Sequence, residues 1–300
     1  MHRKFVTLAV SILLIMGIGS SALAEELTGT LKKIAESGVI IMGHRESSIP
    51  FSYYAQGKTA IGHGQDYSEL IVEAIKKKLN KTDLTIKYVP VTSQNRIPLL
   101  QNETYDFECG STTNNTERQK QVSFSNTFFI VGTRLLVAKD SGIKDFADLK
   151  GKSVAVTSGT TSEKLINILN DSQKLEVRII STKDHGDSFR TVESGRAVAF
   201  MIDDVLLAGE RAKAKDPEAW VIIGTPQSYE AYGCMMRKDD AQFKALVDAT
   251  IAEAQLSGAA KASYDKWFLN PIPPRGMNMN FSLSDEMKAL YAAPNDKAFQ

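Results

Sequence analysis

Apolar residues along this chain come in two rhythms, and the rhythms alternate. Short unbroken apolar runs predict buried strands, and apolar residues three and four positions apart predict amphipathic helices. Val39, Ile40, Ile41 and Met42 form the first strand-like run. Residues 65–79 read as a helix. Tyr67, Leu70, Ile71, Ala74, Ile75 and Leu79 share one face, and Lys76, Lys77 and Lys78 crowd the end where a helix dipole favours cations. Strands over 84–91 and 105–109 flank a short helix that opens at Arg96. Residues 129–137 make a long extended run, and polar residues 138–144 follow. The pattern then restarts, with strands over 154–157, 177–180, 197–202 and 220–223 and helices over 162–169, 187–194 and 205–212. A strand-like run over 232–236 and a helix over 241–255 come next. Asn270-Pro271-Ile272-Pro273-Pro274 ends helix formation and predicts an ordered strap.

Such alternation is α/β architecture. The run over 129–137 reads as a strand passing from one lobe into a second, and 232–236 as the return crossing. Two crossings make a hinge, with a ligand cleft between the lobes. The expected first lobe is discontinuous, 25–133 with 233–300, and the second is 134–232. Each is expected to be a sheet flanked by helices, joined by a two-strand hinge. A chain of 300 residues exceeds what one core usually organises, which fits two lobes.

The N-terminus reads as an export signal. Met1-His2-Arg3-Lys4 is basic, residues 5–19 are almost wholly apolar, and Ala22-Leu23-Ala24 gives a small-x-small cleavage pattern. The apolar run is short for a membrane span, which needs roughly 20 residues. The expectation is cleavage after Ala24, leaving residues 25–300; an uncleaved anchor is the alternative.

Charge and cysteine content narrow the classes. There are 36 basic against 35 acidic residues and no basic stripe or tail, so nucleic acid is not an expected partner. Cys109 and Cys234 are the two cysteines, and no His or Cys spacing supports a zinc site. Neither a metal nor a cofactor is expected. In an oxidising compartment an even count permits one disulfide; the alternative is two buried free thiols.

Five segments carry a resemblance: Gly43-His44-Arg45-Glu46-Ser47-Ser48-Ile49-Pro50-Phe51-Ser52-Tyr53, Thr92-Ser93-Gln94-Asn95-Arg96-Ile97-Pro98, Cys109-Gly110-Ser111-Thr112-Thr113-Asn114-Asn115, Ser158-Gly159-Thr160-Thr161 and Lys183-Asp184-His185-Gly186-Asp187-Ser188-Phe189-Arg190. In this order and spacing, behind an export signal, the chain resembles the periplasmic amino-acid-binding proteins of ABC importers over essentially all of its mature length. The resemblance is nearest to members that take L-glutamate or L-aspartate. It implies a periplasmic-binding-protein-like fold, a periplasmic location, a monomeric state and an inner-membrane ABC permease as partner.

A free acidic amino acid carries two carboxylates and one ammonium, and a closed pocket must satisfy all three. Arg118 can grip a carboxylate through two parallel hydrogen bonds, with Ser111 and Thr113 as donors beside it. From composition alone Arg118 would be a solvated helix start; the resemblance assigns it the α-carboxylate. Asp203 and Asp204 end a buried strand, where acids face a cleft. The resemblance gives Asp203 the ligand ammonium and leaves Asp204 to cap the helix over 205–212. Thr160 and Glu163 form a capping-box pattern, and Thr161 with the free amides of that helix start either contacts a ligand carboxylate or serves only as cap. Arg45, Ser93, Arg96 and His185 are the candidates for the side-chain carboxylate. His185 is placed in a Gly-containing loop before the helix over 187–194, where a structural role is the alternative. His44 and His63 are left unassigned.

The chain has no Gly-x-Ser-x-Gly elbow, phosphate loop or Gly-x-Gly-x-x-Gly after a strand, so it is not expected to be an enzyme. The rival readings are a dehydratase or lyase on the same fold, using His185 or Glu108 as proton donor, and a ligand-sensing module.

Overall fold

The computed structural model describes residues 26–298, so the expected export signal over 1–24 lies outside the described residues. From the start the chain forms α1 (Gly29–Ser37), β1 (Val39–His44), β2 (Ser47–Ser48), β3 (Ser52–Tyr54), β4 (Ala60–Ile61), α2 (His63–Leu79), β5 (Thr85–Pro90), α3 (Arg96–Gln101), β6 (Phe107–Glu108) and β7 (Val122–Ala138). It continues through β8 (Ser153–Thr157), α4 (Thr161–Gln173), β9 (Arg178–Thr182), α5 (His185–Glu193), β10 (Ala199–Asp203), α6 (Asp204–Lys213), β11 (Trp220–Ile223) and β12 (Tyr229–Arg237). Helices α7 (Ala241–Ser257), α8 (Ala259–Tyr264) and α9 (Asp285–Ala292) complete it.

Strand β7 explains the two-lobed shape. Residues 122–132 pair antiparallel with β12, and 133–138 pair with β10 and β11. One side of the molecule therefore runs β5-β1-β6-β12-β7 and the other β7-β10-β8-β9, with β11 added to β7. Within each side, β1 with β5 and β6, and β8 with β9 and β10, are parallel pairs, which require crossover connections. Ligands of such sheets bind beyond the carboxyl ends of the strands. Those ends deliver Arg45 after β1, the 109–113 loop after β6, residues 158–160 after β8 and Asp203 at the end of β10.

The main apolar cluster runs through both sides, reaching Phe189 and Phe200 beyond β7, and a smaller one lies within the β8–β10 side. The first contains Ile40, Phe51, Phe107, Phe128, Phe129, Phe243 and Phe268; the second contains Leu135, Val137, Val154, Val156, Ile166 and Met201. Cys109 and Cys234 are joined in a disulfide between the end of β6 and β12. The Pro-rich tail is an ordered strap, and the Tyr53 hydroxyl donates to the Pro273 carbonyl over 2.8 Å.

Several expectations are corrected. Leu70 is 40% exposed; the buried face of α2 runs through Tyr67, Ser68, Ile71, Val72 and Ile75, one position round the helix. The strand expected over 105–109 shrinks to β6, because only Phe107 and Glu108 find ladder partners. The return strand begins at Tyr229 rather than 232, which brings Glu230 into it. Helix α9 was hidden by its short apolar pattern. Its start is fixed by Ser284, whose hydroxyl accepts from the Met287 amide at 3.2 Å.

Candidate functional site

The loop after β6 organises the first wall. Arg45 is 1% exposed and donates through Nη1 to the Ser111 hydroxyl at 3.3 Å. Arg96 opens α3, also 1% exposed, and donates through Nη1 to the Ser111 carbonyl at 2.9 Å and to the Thr112 hydroxyl. Thr112 in turn donates to Glu108 Oε2 at 2.8 Å. Arg118 opens a short 3-10 turn, Arg118–Lys120, as composition suggests, but it is not solvated. It is buried and donates through Nη1 to the Thr113 carbonyl at 3.0 Å. Ser93 lies buried in the neighbouring loop, with its hydroxyl unpartnered among the described residues.

The second wall is built from two helix starts and a strand end. Thr160 caps α4, its hydroxyl accepting from the Glu163 amide at 3.1 Å. The expected capping box is only half present, because Glu163 accepts from the Gly159 amide at 2.8 Å and not from the cap residue. Thr161, the first residue of α4, donates to Glu230 Oε2 at 2.7 Å. His185 does not sit in a loop. Asp184 caps α5 by accepting from the Asp187 amide at 2.9 Å, so the helix starts earlier and His185 is its first residue. Its Nδ1 lies 2.9 Å from the Thr157 hydroxyl, and Nε2 is buried with no partner among the described residues. Asp203 accepts from the Tyr232 hydroxyl and, at 3.3 Å, from Thr133. Asp204 is the first residue of α6 rather than the residue before it. Its carboxylate accepts from the Val205 amide at 2.8 Å, which serves the helix start.

The walls touch. Gly159 has φ +77°, and a Cβ there would come within 2.5 Å of the Gln94 Cα. Arg118 reaches over to donate to the Gly159 carbonyl at 3.2 Å. The candidates form linked groups: Arg45 with Ser111, Arg96 and Thr112; Arg118 with Thr113, Glu230 and Thr161; Asp203 with Tyr232.

Burial dominates the electrostatics. It lowers Arg45 to about 10 and Arg118 to about 9, and in both cases the Arg96 charge adds to the shift. Arg96 is lowered by burial as well. All three remain cations near neutral pH. Burial, then Arg45 and Arg96, hold His185 well below the usual imidazole range, so it is neutral. Burial and the neighbouring Glu230 raise Asp203 well above the usual carboxylate range. Crowded buried cations that hydrogen-bond mainly to carbonyls and hydroxyls form a receptor for anionic groups, and Asp203 offers a place for one cation.

Sequence reasoning missed Thr112, Glu230 and Tyr232, and weighed Glu108 only as a proton donor in the rival enzyme reading. An acid inside an apolar strand run was the available signal for Glu108 and Glu230, since such a residue is costly to bury without a role.

A model of the bacterial extracellular solute-binding proteins, family 3, matches residues 40–270. A glutamate/aspartate import solute-binding protein of Escherichia coli is 66% identical over 297 residues, covering 99% of this chain and 98% of the relative. An L-glutamate/L-aspartate-binding protein of Pseudomonas aeruginosa is 58% identical over 283 residues, covering 94% and 93%. Among solved structures, a solute receptor for L-cysteine of Neisseria gonorrhoeae superimposes with a TM-score of 0.70 at 25% identity, covering 80% of this chain and 94% of the receptor.

Proposed function

The chain belongs to the bacterial extracellular solute-binding proteins, family 3, and from that premise we propose that it captures L-glutamate or L-aspartate in the interlobe cleft and delivers it to an ABC-transporter permease. It is a transport binding protein and not an enzyme. The observation that carries the ligand reading is the convergence of buried Arg45, Arg96 and Arg118 opposite Asp203.

In this reading Arg118 takes the α-carboxylate in a fork, with Ser111 and the backbone amides of Thr113 and Thr161 supplying further donors. Asp203 receives the ammonium. Arg45, Ser93, Arg96 and neutral His185 surround the side-chain carboxylate. Arg118 and Asp203 match the charges of the zwitterion, and the other two guanidinium groups supply attraction for the second carboxylate. We assign 25–133 and 233–300 to the first lobe and 134–232 to the second, with β7 and β12 as hinge strands. Residues 1–24 act as a cleaved export signal into the periplasm, and the protein works as a monomer without nucleic acid. Closure about the hinge buries the ligand before docking on the permease.

Calorimetry on residues 25–300, stripped of carried-over ligand by unfolding and refolding, tests this. Glutamate, aspartate, glutamine and a plain dicarboxylate are titrated. The expected result is one-to-one binding of an acidic amino acid at about micromolar affinity or tighter, about −8 kcal/mol or stronger, with glutamine and the dicarboxylate weak. Silence from all four in a folded protein would remove the acidic-ligand assignment.

A further inference from the structure

We propose that Glu230 is a latch for the closed cleft, a positioning residue that ties the two lobes together behind the ligand and sets how slowly the ligand leaves. The inference rests on the binding-protein reading above. Glu230 sits on β12, opposite Val131 of β7, so it belongs to the hinge rather than to either wall. It is 5% exposed.

One carboxylate oxygen does the joining. Oε2 accepts from the Thr113 hydroxyl, which comes from the loop after β6, and from the Thr161 hydroxyl, which comes from the start of α4. Oε1 accepts from Ser228 at 3.2 Å. Two hydroxyls on opposite walls thus converge on a single atom. Any hinge motion that carries α4 away from the 109–113 loop must break at least one of these bonds. Both are hydroxyl-to-carboxylate bonds in a buried setting, the stronger class of hydrogen bond.

The geometry also orients the wall. Thr113 gives its carbonyl to Arg118 and its hydroxyl to Glu230, and it bridges to Tyr232. Its side chain is thereby fixed while Arg118 is aimed. An ion pair between the walls, Lys164 with Glu117, has side chains 63% and 61% exposed and is screened by solvent. With the Arg118 bond to the Gly159 carbonyl, the Glu230 bridge is therefore one of the buried contacts expected to govern opening.

The test is the rate of release. Glu230→Gln keeps shape and polarity but removes the charge. Dissociation of radiolabelled glutamate, followed by rapid filtration, is expected to quicken about tenfold or more, with the association rate changed less than about twofold. The circular dichroism spectrum of the ligand-free variant should match that of the parent, which separates a latch from a general loss of structure. Thr161→Val should speed release in the parent and add much less in the Glu230→Gln background, because both remove one bridge. Unchanged dissociation, a loss confined to association, or full additivity of the two changes would overturn the proposal. A ligand-free arm is independent of ligand identity: spin labels at Lys87→Cys and Ile168→Cys report the distance between lobes. Glu230→Gln is expected to shift that distribution to longer distances, and no shift counts against the latch. A parent protein that binds neither glutamate nor aspartate would defeat the ligand assignment, and the distance measurement alone would then decide the latch.

Discussion

Arg118 donates across the cleft to the carbonyl of Gly159, 3.2 Å away, and so touches both walls of the site. Its other terminal nitrogen holds the Thr113 carbonyl at 3.0 Å. A guanidinium can make these contacts and still present a planar edge to a carboxylate; a lysine ammonium cannot. Arg118→Lys should therefore weaken every amino-acid ligand by similar amounts, about a hundredfold or more, because the α-carboxylate is common to all of them. Titrations of glutamate and glutamine against the variant check this. A loss seen for glutamate alone would move Arg118 to the side-chain end of the site.

Arg96 is expected to behave in the opposite way. It lies in the Ser111–Thr112 corner beside Arg45 and is linked through Thr112 to Glu108. Arg96→Ala should reduce affinity for glutamate about a hundredfold and for glutamine about tenfold or less, because only glutamate places a charge there. Equal losses for the two ligands would sink the side-chain assignment. Circular dichroism on the variant guards against a trivial loss of fold, since the substitution also removes one of the two cations, Arg96 and Arg45, that interact with buried Glu108.

The sequence carried the α/β alternation, the two crossings and the carboxyl-end positions of Arg45 and Asp203, because those depend on local period and strand ends. It did not carry the closure of the site. Glu230 and Thr113 stand 117 positions apart yet share a hydrogen bond, and no local pattern encodes such a pairing. Tyr232 read as strand filler because a buried tyrosine and a phenylalanine look alike until the hydroxyl finds Asp203. His185 was misplaced by the reach of Asp184 to the Asp187 amide, a cap that competes with the Gly186 signal for a loop. The Cys109–Cys234 pairing was undecided from the count and is settled by their meeting between β6 and β12.

That disulfide pins the binding loop to the return strand. Cys109 directly precedes Gly110-Ser111-Thr112-Thr113, and Cys234 follows Tyr232 by two positions. The bridge closes a sequence separation of 125 residues, for which the chain-entropy model gives about 4–5 kcal/mol of stability. Cys109→Ser with Cys234→Ser should lower the unfolding free energy, measured by chemical denaturation, by an amount of that order. It should also weaken glutamate binding, because Ser111 and Thr113 would be held less firmly. Reduction of the parent protein should reproduce both effects. Unchanged affinity in a destabilised variant would limit the bridge to a stabilising role.

His63, unassigned from sequence, is expected to contribute to the loss of stability in acid. It is packed against Phe51, Tyr67, Phe128, Phe129, Tyr264 and Phe268, and its Nδ1 lies 2.8 Å from the Ser263 hydroxyl. Burial lowers it to about 3. Between about 6.5 and about 3 the unfolded chain binds a proton that the native protein does not, so stability falls as pH falls through this window and is fully present above it. Neutral buried His185 acts with the same sign. His63→Phe should cost about 1 kcal/mol near neutral pH for the lost hydrogen bond. It should also make the decline toward acid shallower, as urea unfolding at pH 7 and pH 4.5 would show. An identical pH slope in the variant would remove His63 from the account.

If Asp203 receives the ligand ammonium as proposed, ligand capture is expected to be coupled to a proton. Burial foremost, and then Glu230, raise it well above the usual carboxylate range, while the Tyr232 and Thr133 hydroxyls oppose that shift. In the ligand-free protein the group therefore retains its proton to a higher pH than a free carboxyl. An ammonium placed against it favours the charged form and lowers its pKa. Binding should then release a proton at any pH between the bound and free values, and affinity for glutamate should rise with pH across that window. Calorimetry in buffers of different ionisation enthalpy measures the number released. Asp203→Asn should abolish both the release and the pH dependence while weakening binding, since the amide cannot match the ammonium charge. Proton uptake by the parent protein, or release that persists in Asp203→Asn, would place the ammonium elsewhere in the cleft.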